Sequence, residues 1–248
     1  MFASRFAGSG VRGCVHSCAS SRLALCSKPF VRWFSFRDFF TKEAKEARTA
    51  RIKKEVSKSY FADMKAVRQD GGKQALPRFR SLIPSPQSRA FPAIMAVNLL
   101  DENIDVSSQL TGRVSLVLLG FRAFATPMIQ QWQQLVQTQL LPVHPTLQVL
   151  ELSVVESALF RSFLRSSILS GMRKSTPEER QRNVLVLFSA SADFREQLGI
   201  ENLLTAYALL VDEHGAVRWM ASGAPDVEDQ GILKECVAQL AIQSKQHQ

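Results

Sequence analysis

Leu203-Leu-Thr-Ala-Tyr207-Ala-Leu-Leu-Val-Asp212-Glu-His-Gly215-Ala-Val-Arg-Trp219-Met-Ala-Ser-Gly223 spells two strands joined by a tight turn. Asp212 through Gly215 carry the turn chemistry, and β-branched and aromatic residues fill the two arms. The stretch that follows, residues 226–243, has the composition of a helix, and Asp226, Glu228 and Asp229 supply the acidic first turn that a helix N-terminus favours. A hairpin closed at once by a helix is therefore the C-terminal unit of the chain.

Working upstream, Val-Ser-Leu-Val-Leu-Leu-Gly at 114–120 is a short, unbroken apolar run of the kind expected for a central buried strand. Residues 128–140 read as a helix with Met128, Trp132, Leu135, Val136 and Gln139 near one face. Residues 147–155 give a second strand, 157–172 a second helix, 183–188 a third strand, and 193–198 a short helical turn closed by Gly199 as its C-terminal cap. Residues 94–100 read as an edge strand leading into a turn at 101–105. The order β-α-β-α-β-β-α, with the hairpin last, predicts an α/β, thioredoxin-like domain over residues 91–244, a central mixed sheet flanked by helices. Thioredoxin-like and peroxiredoxin-like domains end in this way.

The rest of the chain is organised around that domain. Residues 1–37 hold Arg5, Arg12, Arg22, Lys28, Arg32 and Arg37 and no acid, and they are rich in Ser and small apolar residues, which is the signature of an organellar transit peptide. Arg32-Trp33-Phe34-Ser35 resembles the cleavage pattern of the mitochondrial processing peptidase, so residues 1–34 are expected to be a mitochondrial transit peptide and Ser35 the new terminus. The chain carries a formal charge of +9, and losing five basic residues and no acid leaves 26 basic against 22 acidic residues, or +4. Much of the pull toward nucleic acid goes with the leader. Residues 35–72 are predicted to form a charged amphipathic helix. Ile52, Val56, Tyr60, Met64 and Val67 make its stripe, and its first half is basic enough to lie against an anionic membrane or a partner, or else to pack its stripe on the domain. Pro77, Pro84 and Pro86 make 73–90 an extended, Pro-rich linker.

The chemistry that the fold class usually performs has no residues here to perform it. In thioredoxin-like enzymes the attacking cysteine sits where the first central strand turns into its helix, because a helix N-terminus favours the thiolate. Here that place reads Phe121-Arg-Ala-Phe-Ala-Thr-Pro-Met128, without a thiol, and no proline stands just before the hairpin, where Leu204, Thr205 and Ala206 lie. Thr126-Pro127 reads instead as the start of a helix, Thr as N-cap and Pro at the first position. Cys14, Cys18 and Cys26 fall in the leader, and Cys236, inside the last helix, reads as a buried small hydrophobe. His144 and His214 sit in loops without a partner constellation, and no acidic pair has metal-ligand spacing with histidine. No catalytic residue, metal site or cofactor is expected.

Several features together resemble one family. The leader, the charged helix, Phe91-Pro92, Leu110-Thr111-Gly112, Met128 followed four residues on by Trp132, and Tyr207 leading through Leu-Val-Asp to Arg218-Trp219 are similar to the mitochondrial ATP synthase assembly factors of the ATPase complex subunit ten type. The resemblance spans residues 91–240. It implies an assembly chaperone on the matrix side of the inner membrane, peripheral, attending membrane subunit a (subunit 6) of the F-type ATP synthase without redox activity. The family pattern has a small hydroxyl residue before the Trp and a Pro-Phe pair soon after it, whereas Gln131 and Gln133-Gln134 stand here. Client contact is expected at the old active-site groove, through Arg122, Phe124, Met128 and Trp132, with Arg218 and Trp219 on the hairpin. Trp132 and Met128 also read as core, the reading favoured for Trp132, and Arg218-Trp219 is likewise favoured as a stacked structural pair on the hairpin. A mitochondrial ribosome- or RNA-associated protein is the alternative function, favoured by the basic helix and opposed by the absence of an RNA-recognition motif.

Overall fold

The computed structural model describes residue 64 and residues 73–77, 79–156 and 164–246. The transit peptide expected at 1–34 lies outside the described residues, as does the charged helix expected at 35–72 apart from Met64, which is helical. Eight strands form one sheet, in the order β1 (Arg89–Ala90), β8 (Ala216–Ser222), β7 (Tyr207–Val211), β4 (Ser115–Gly120), β5 (Gln148–Val154), β6 (Val184–Leu187), β2 (Met95–Asn98) and β3 (Asn103–Asp105). Strands β4, β5 and β6 run parallel, β7 lies antiparallel to β4, and β2 antiparallel to β6. Parallel neighbours need crossovers, which helices α2 (Thr126–Leu135) and α3 (Arg165–Ser175) supply. Helices α1 (Val106–Leu110), α4 (Ala192–Leu198) and α5 (Val227–Gln246) complete the domain. A parallel centre with an antiparallel hairpin beside it and a closing helix is a thioredoxin-like fold, as predicted.

The hairpin forms where the sequence places it. Asp212 Oδ1 accepts from the backbone N–H of His214 at 3.0 Å and of Ala216 at 2.9 Å, and Gly215 takes the left-handed backbone (φ 77°) that closes the turn. Gly199 likewise ends α4 with φ 67°. At the start of α5, Asp226 Oδ1 accepts from Asp229 N–H at 2.8 Å while Asp229 Oδ2 accepts from Asp226 N–H at 3.3 Å, a reciprocal cap that ties off two of the orphan donors of the first turn.

Two packed layers enclose the sheet. On one face α2 and α5 cover Leu116, Leu118, Leu210 and Trp219, using Ile129, Trp132, Leu135, Leu233, Cys236 and Leu240. The other face buries Val117, Leu119, Leu150, Leu152 and Leu209 under α1, α4, Phe91, Phe121 and Leu203. Because β4 and β7 are covered on both sides, every one of their residues is buried, and their sequences run apolar without alternation.

Several expectations change. Residues 95–98 are not an edge strand: β2 lies between β6 and β3, and the stretch read as a turn supplies β3, whose Asp105 accepts from Ser107 N–H to cap α1. Three residues of β3 were too few to show a pattern. The helix expected at 128–140 begins at Thr126 and changes at Val136–Leu140 into a wider π turn. Its buried face is Ile129, Trp132, Leu135, Val136 and Leu140, while Gln139 is exposed and Met128 half-buried. Thr126 is not an N-cap, since it is already helical and its side chain accepts no capping hydrogen bond; the preceding one-turn 3-10 segment Ala123–Ala125 feeds the helix directly.

The Pro-rich stretch holds two one-turn 3-10 helices, Lys73–Ala75 and Ser85–Gln87, and is fastened to the hairpin. Ile83 N–H donates to Arg218 O at 2.7 Å, Ser222 Oγ donates to Lys73 O at 3.1 Å, Arg89 and Ala90 pair with β8, and Leu76 is buried. Prolines limit helix there to single 3-10 turns, and the segment still spends backbone groups on a sheet edge, which it thereby covers.

Candidate functional site

In open α/β sheets ligands gather outside the carboxyl ends of the parallel strands, where loops from neighbouring strands converge. At that end of β4 the chain must turn sharply into α2, and Gly120 permits it. A Cβ on Gly120 would stand 2.9 Å from Ile129 Cδ1 and 3.3 Å from Ala125 Cβ, so the Ile129 side chain would have to move aside. The segment 121–128 that follows presents Arg122, with extended backbone, then Phe124, whose ring is 43% exposed, and then half-buried Met128, whose Sδ accepts from Thr205 Oγ1 at 3.7 Å.

Three further residues join this rim from β5 and β6. Glu156, two residues beyond β5, lies 3.5 Å from Arg122 Nη2 through Oε2 and 3.4 Å from Arg195 Nε through Oε1. Buried Ser191 donates its hydroxyl to the same carboxylate. One carboxylate thus joins the loop after β4, the loop after β5 and the first turn of α4. Nothing in the sequence linked Glu156, Ser191 and Arg195. The available signal was only that each follows a predicted strand by a few residues, a position shared with many loop residues.

Of the six residues expected to contact a client, the structure brings Arg122, Phe124 and Met128 to this rim and puts the other three inside. Trp132 is fully buried, its Nε1 donating to Gly223 O at 2.8 Å. Trp219 packs edge-on against it at 6.1 Å between ring centres and donates Nε1 to Phe79 O at 2.8 Å. Arg218 is buried too, donating Nε to Ile83 O at 2.7 Å and pairing Nη1 with Asp212 Oδ2 at 3.0 Å. The expected Arg218-Trp219 stack does not form. A β-bulge sets Leu210 opposite Trp219 but Val211 opposite Val217, so Arg218 is the extra residue and is turned aside toward Asp212.

Cys236 is 1% exposed on the core-facing side of α5, and burial, reinforced by the neighbouring Glu235 charge, pushes its thiol up to about 11. Thiolate is the reactive form, so at pH 7.5 iodoacetamide is expected to leave Cys236 unmodified until the chain unfolds. The weakened acidity of the thiol has a second consequence with a fixed sign. Below about pH 8.5 the thiol is protonated folded or unfolded, and above it the unfolded chain loses the proton first, so stability should fall as pH climbs toward 11. Rapid labelling of the native chain would contradict this placement.

A groove of about 920 Å³ lies elsewhere, floored by Val149 and Glu151 of β5 and walled by α2, α5 and the 142–148 loop. Glu151 accepts from Gln133 and pairs with Arg180 Nη2 at 3.3 Å; burial raises its carboxyl above the usual range, and Arg180 and Gln133 oppose that rise. Both partners hold the carboxylate to neighbouring elements, which is a structural use. Among the described residues no three His, Cys, Asp or Glu side chains converge as a metal site would require, and no helix is long and apolar enough to cross a membrane.

Residues 18–240 match the family described as ATP10 protein. Similar relatives include the mitochondrial ATPase complex subunit ATP10 of Eremothecium gossypii, 27% identical over 216 residues that cover 84% of this chain and 77% of the relative. The protein of the same name from Candida glabrata is 25% identical over 219 residues, covering 85% and 78%. Among solved structures, BsSco, a member of the Sco family of cytochrome c oxidase assembly proteins, has a TM-score of 0.45 at 15% identity, covering 64% of this chain and 98% of its own. A thiol:disulfide interchange protein of the thioredoxin family from Chlorobium tepidum TLS has a TM-score of 0.40 at 15% identity, covering 62% and 96%.

Proposed function

Since this chain belongs to the ATP10 protein family, we propose that it acts as an assembly chaperone for the membrane sector of the mitochondrial F-type ATP synthase. Its client in this reading is subunit a, held before that subunit joins the rotor ring. The protein works at the matrix face of the inner membrane, as a peripheral component and without redox chemistry. The observation that carries the reading is the rim itself: the segment 121–128 keeps an exposed arginine and an exposed aromatic ring where a redox relative keeps its thiol. Aromatic and arginine side chains are the usual anchors of a polypeptide contact. A mixed disulfide cannot be made from a segment without a thiol, and Cys236 is on the buried face of α5.

The mechanism that follows is holding. Phe124 and Met128 offer apolar area, Arg122 offers donors, and the Glu156 network fixes the loop that carries them, so a client segment is bound without the cost of ordering the loop. Deleting the protein should leave the catalytic head assembled while newly made subunit a is degraded. Crosslinking of newly translated mitochondrial products to the tagged chain in organello should capture subunit a, and Phe124→Ser should reduce that capture several-fold, the order expected for losing one aromatic anchor. General loss of mitochondrial translation on deletion, or cosedimentation with ribosomes that collapses with salt, would instead favour the ribosome-associated reading.

A further inference from the structure

The rim at the strand ends carries more information than a place to hold a chain. We propose that it selects polypeptide segments in which an apolar side chain stands beside a carboxylate, a refinement that rests on the client-holding reading above. At the strand ends and the helix starts that follow them stand Arg122, Arg165, Glu156 and Asp193, with Arg195 and Glu196 one turn on. Glu156 gives one oxygen to each of two guanidinium groups, so among the described residues Arg122 and Arg195 share one carboxylate.

Arg122 remains 38% exposed while its Nη2 faces Glu156. A guanidinium has five N–H donors in a rigid fork that matches a carboxylate, and such charge-assisted pairs are the strong, directional ones. Phe124, two residues along the same segment, is 43% exposed, and Leu164, just ahead of α3, is also 43% exposed. Phe124 therefore sets apolar area beside a guanidinium that shares its carboxylate with Arg195. A second arginine, Arg165, lies 5.4 Å over the Phe188 ring after β6, which holds its charge at the same end of the sheet.

The test uses the purified full-length chain on spotted peptides of fifteen residues. One set tiles subunit a of the same organism, with each acid also spotted as its amide. A second set, unrelated to any protein, presents a Leu or Phe anchor beside Glu, Gln or Lys. Binding should favour Glu over Gln by about tenfold, the scale of one charge-assisted hydrogen bond. Arg122→Gln should abolish that preference and Arg122→Glu should turn it toward Lys. With the unaltered chain, raising salt from about 0.05 to about 0.5 M should also erode it, since the pair is half exposed and screened.

Acid preference in the unrelated set without binding to subunit a peptides would sustain the rim chemistry and sink the client assignment. Equal binding of Glu and Gln peptides would overturn the rim chemistry whatever the client. So would Arg122-dependent capture by phosphatidylglycerol vesicles in the absence of any acid preference among peptides.

Discussion

Trp132→Ala should unfold the domain at a temperature on the order of 10 °C lower than the parent chain, the equivalent of about 3 to 5 kcal/mol. The indole is completely enclosed between the sheet and α2, so its removal leaves a cavity that β4 and β7, buried on both faces, cannot close by shifting. The loss has two further parts. Gly223 O, at the end of β8, gives up the Nε1 hydrogen bond of 2.8 Å, and Trp219 loses the edge-on ring it packs against. Trp132→Phe separates these contributions, since it keeps an aromatic ring and removes only the donor and some volume, and it should cost less than half as much. Thermal and urea melts followed by circular dichroism give both values. Should the alanine variant melt within about 2 °C of the parent, the enclosed position of Trp132 is wrong and its role as a surface anchor returns.

Arg218→Met is expected to be nearly as damaging, for an electrostatic reason. Asp212 and Arg218 are both buried and their charges are 3.0 Å apart, so removing the cation leaves a carboxylate without compensation inside the fold, a change worth about 3 to 5 kcal/mol. The same substitution releases Ile83 O from its 2.7 Å bond and loosens the strap 73–90 from the hairpin. Adding Asp212→Asn should recover much of the loss. The amide oxygen can still accept from His214 and Ala216 and keep the turn, while no buried charge remains. A double variant that is no more stable than Arg218→Met would show that the strap contact, rather than the stranded charge, dominates. Limited proteolysis reports the strap directly, with cleavage between residues 77 and 90 accelerated in both variants.

Much of the architecture was legible from short patterns. The run at 114–120, the turn at 212–215, the cap at Gly199 and the acidic start of the last helix are decided by neighbours within a few residues, and each appears in the structure where the pattern put it. The edge strand at Asn103–Asp105 escaped notice because three residues carry no alternation, and the strap escaped because proline spacing reports what a segment cannot form and is silent on what it lies against. Thr126 shows the same limit in miniature: a Thr-Pro pair fits a helix start equally well whether the threonine caps it or belongs to it.

The candidate site was legible in part. The absence of a thiol from 121–128 and the presence of Arg122 and Phe124 there are facts of composition and place, and they follow once the strand and helix on either side are recognised. The partner Glu156 could not be foreseen, because it comes from the next strand's loop and meets Arg122 only when β4 and β5 pair side by side.

Sequence alone determined the class of fold, the hairpin and the missing thiol, since propensity, turn chemistry and residue identity are local. Tertiary structure alone decided which of the notable side chains face outward. Trp132, Arg218 and Trp219 look alike to Arg122 and Phe124 as a list of aromatic and basic residues, yet their fates depend on Gly223, Ile83 and Phe79, 91, 135 and 140 residues away along the chain. Burial is a property of the whole packed molecule. One bulge in β8, invisible in the alternation of its residues, turned Arg218 toward Asp212.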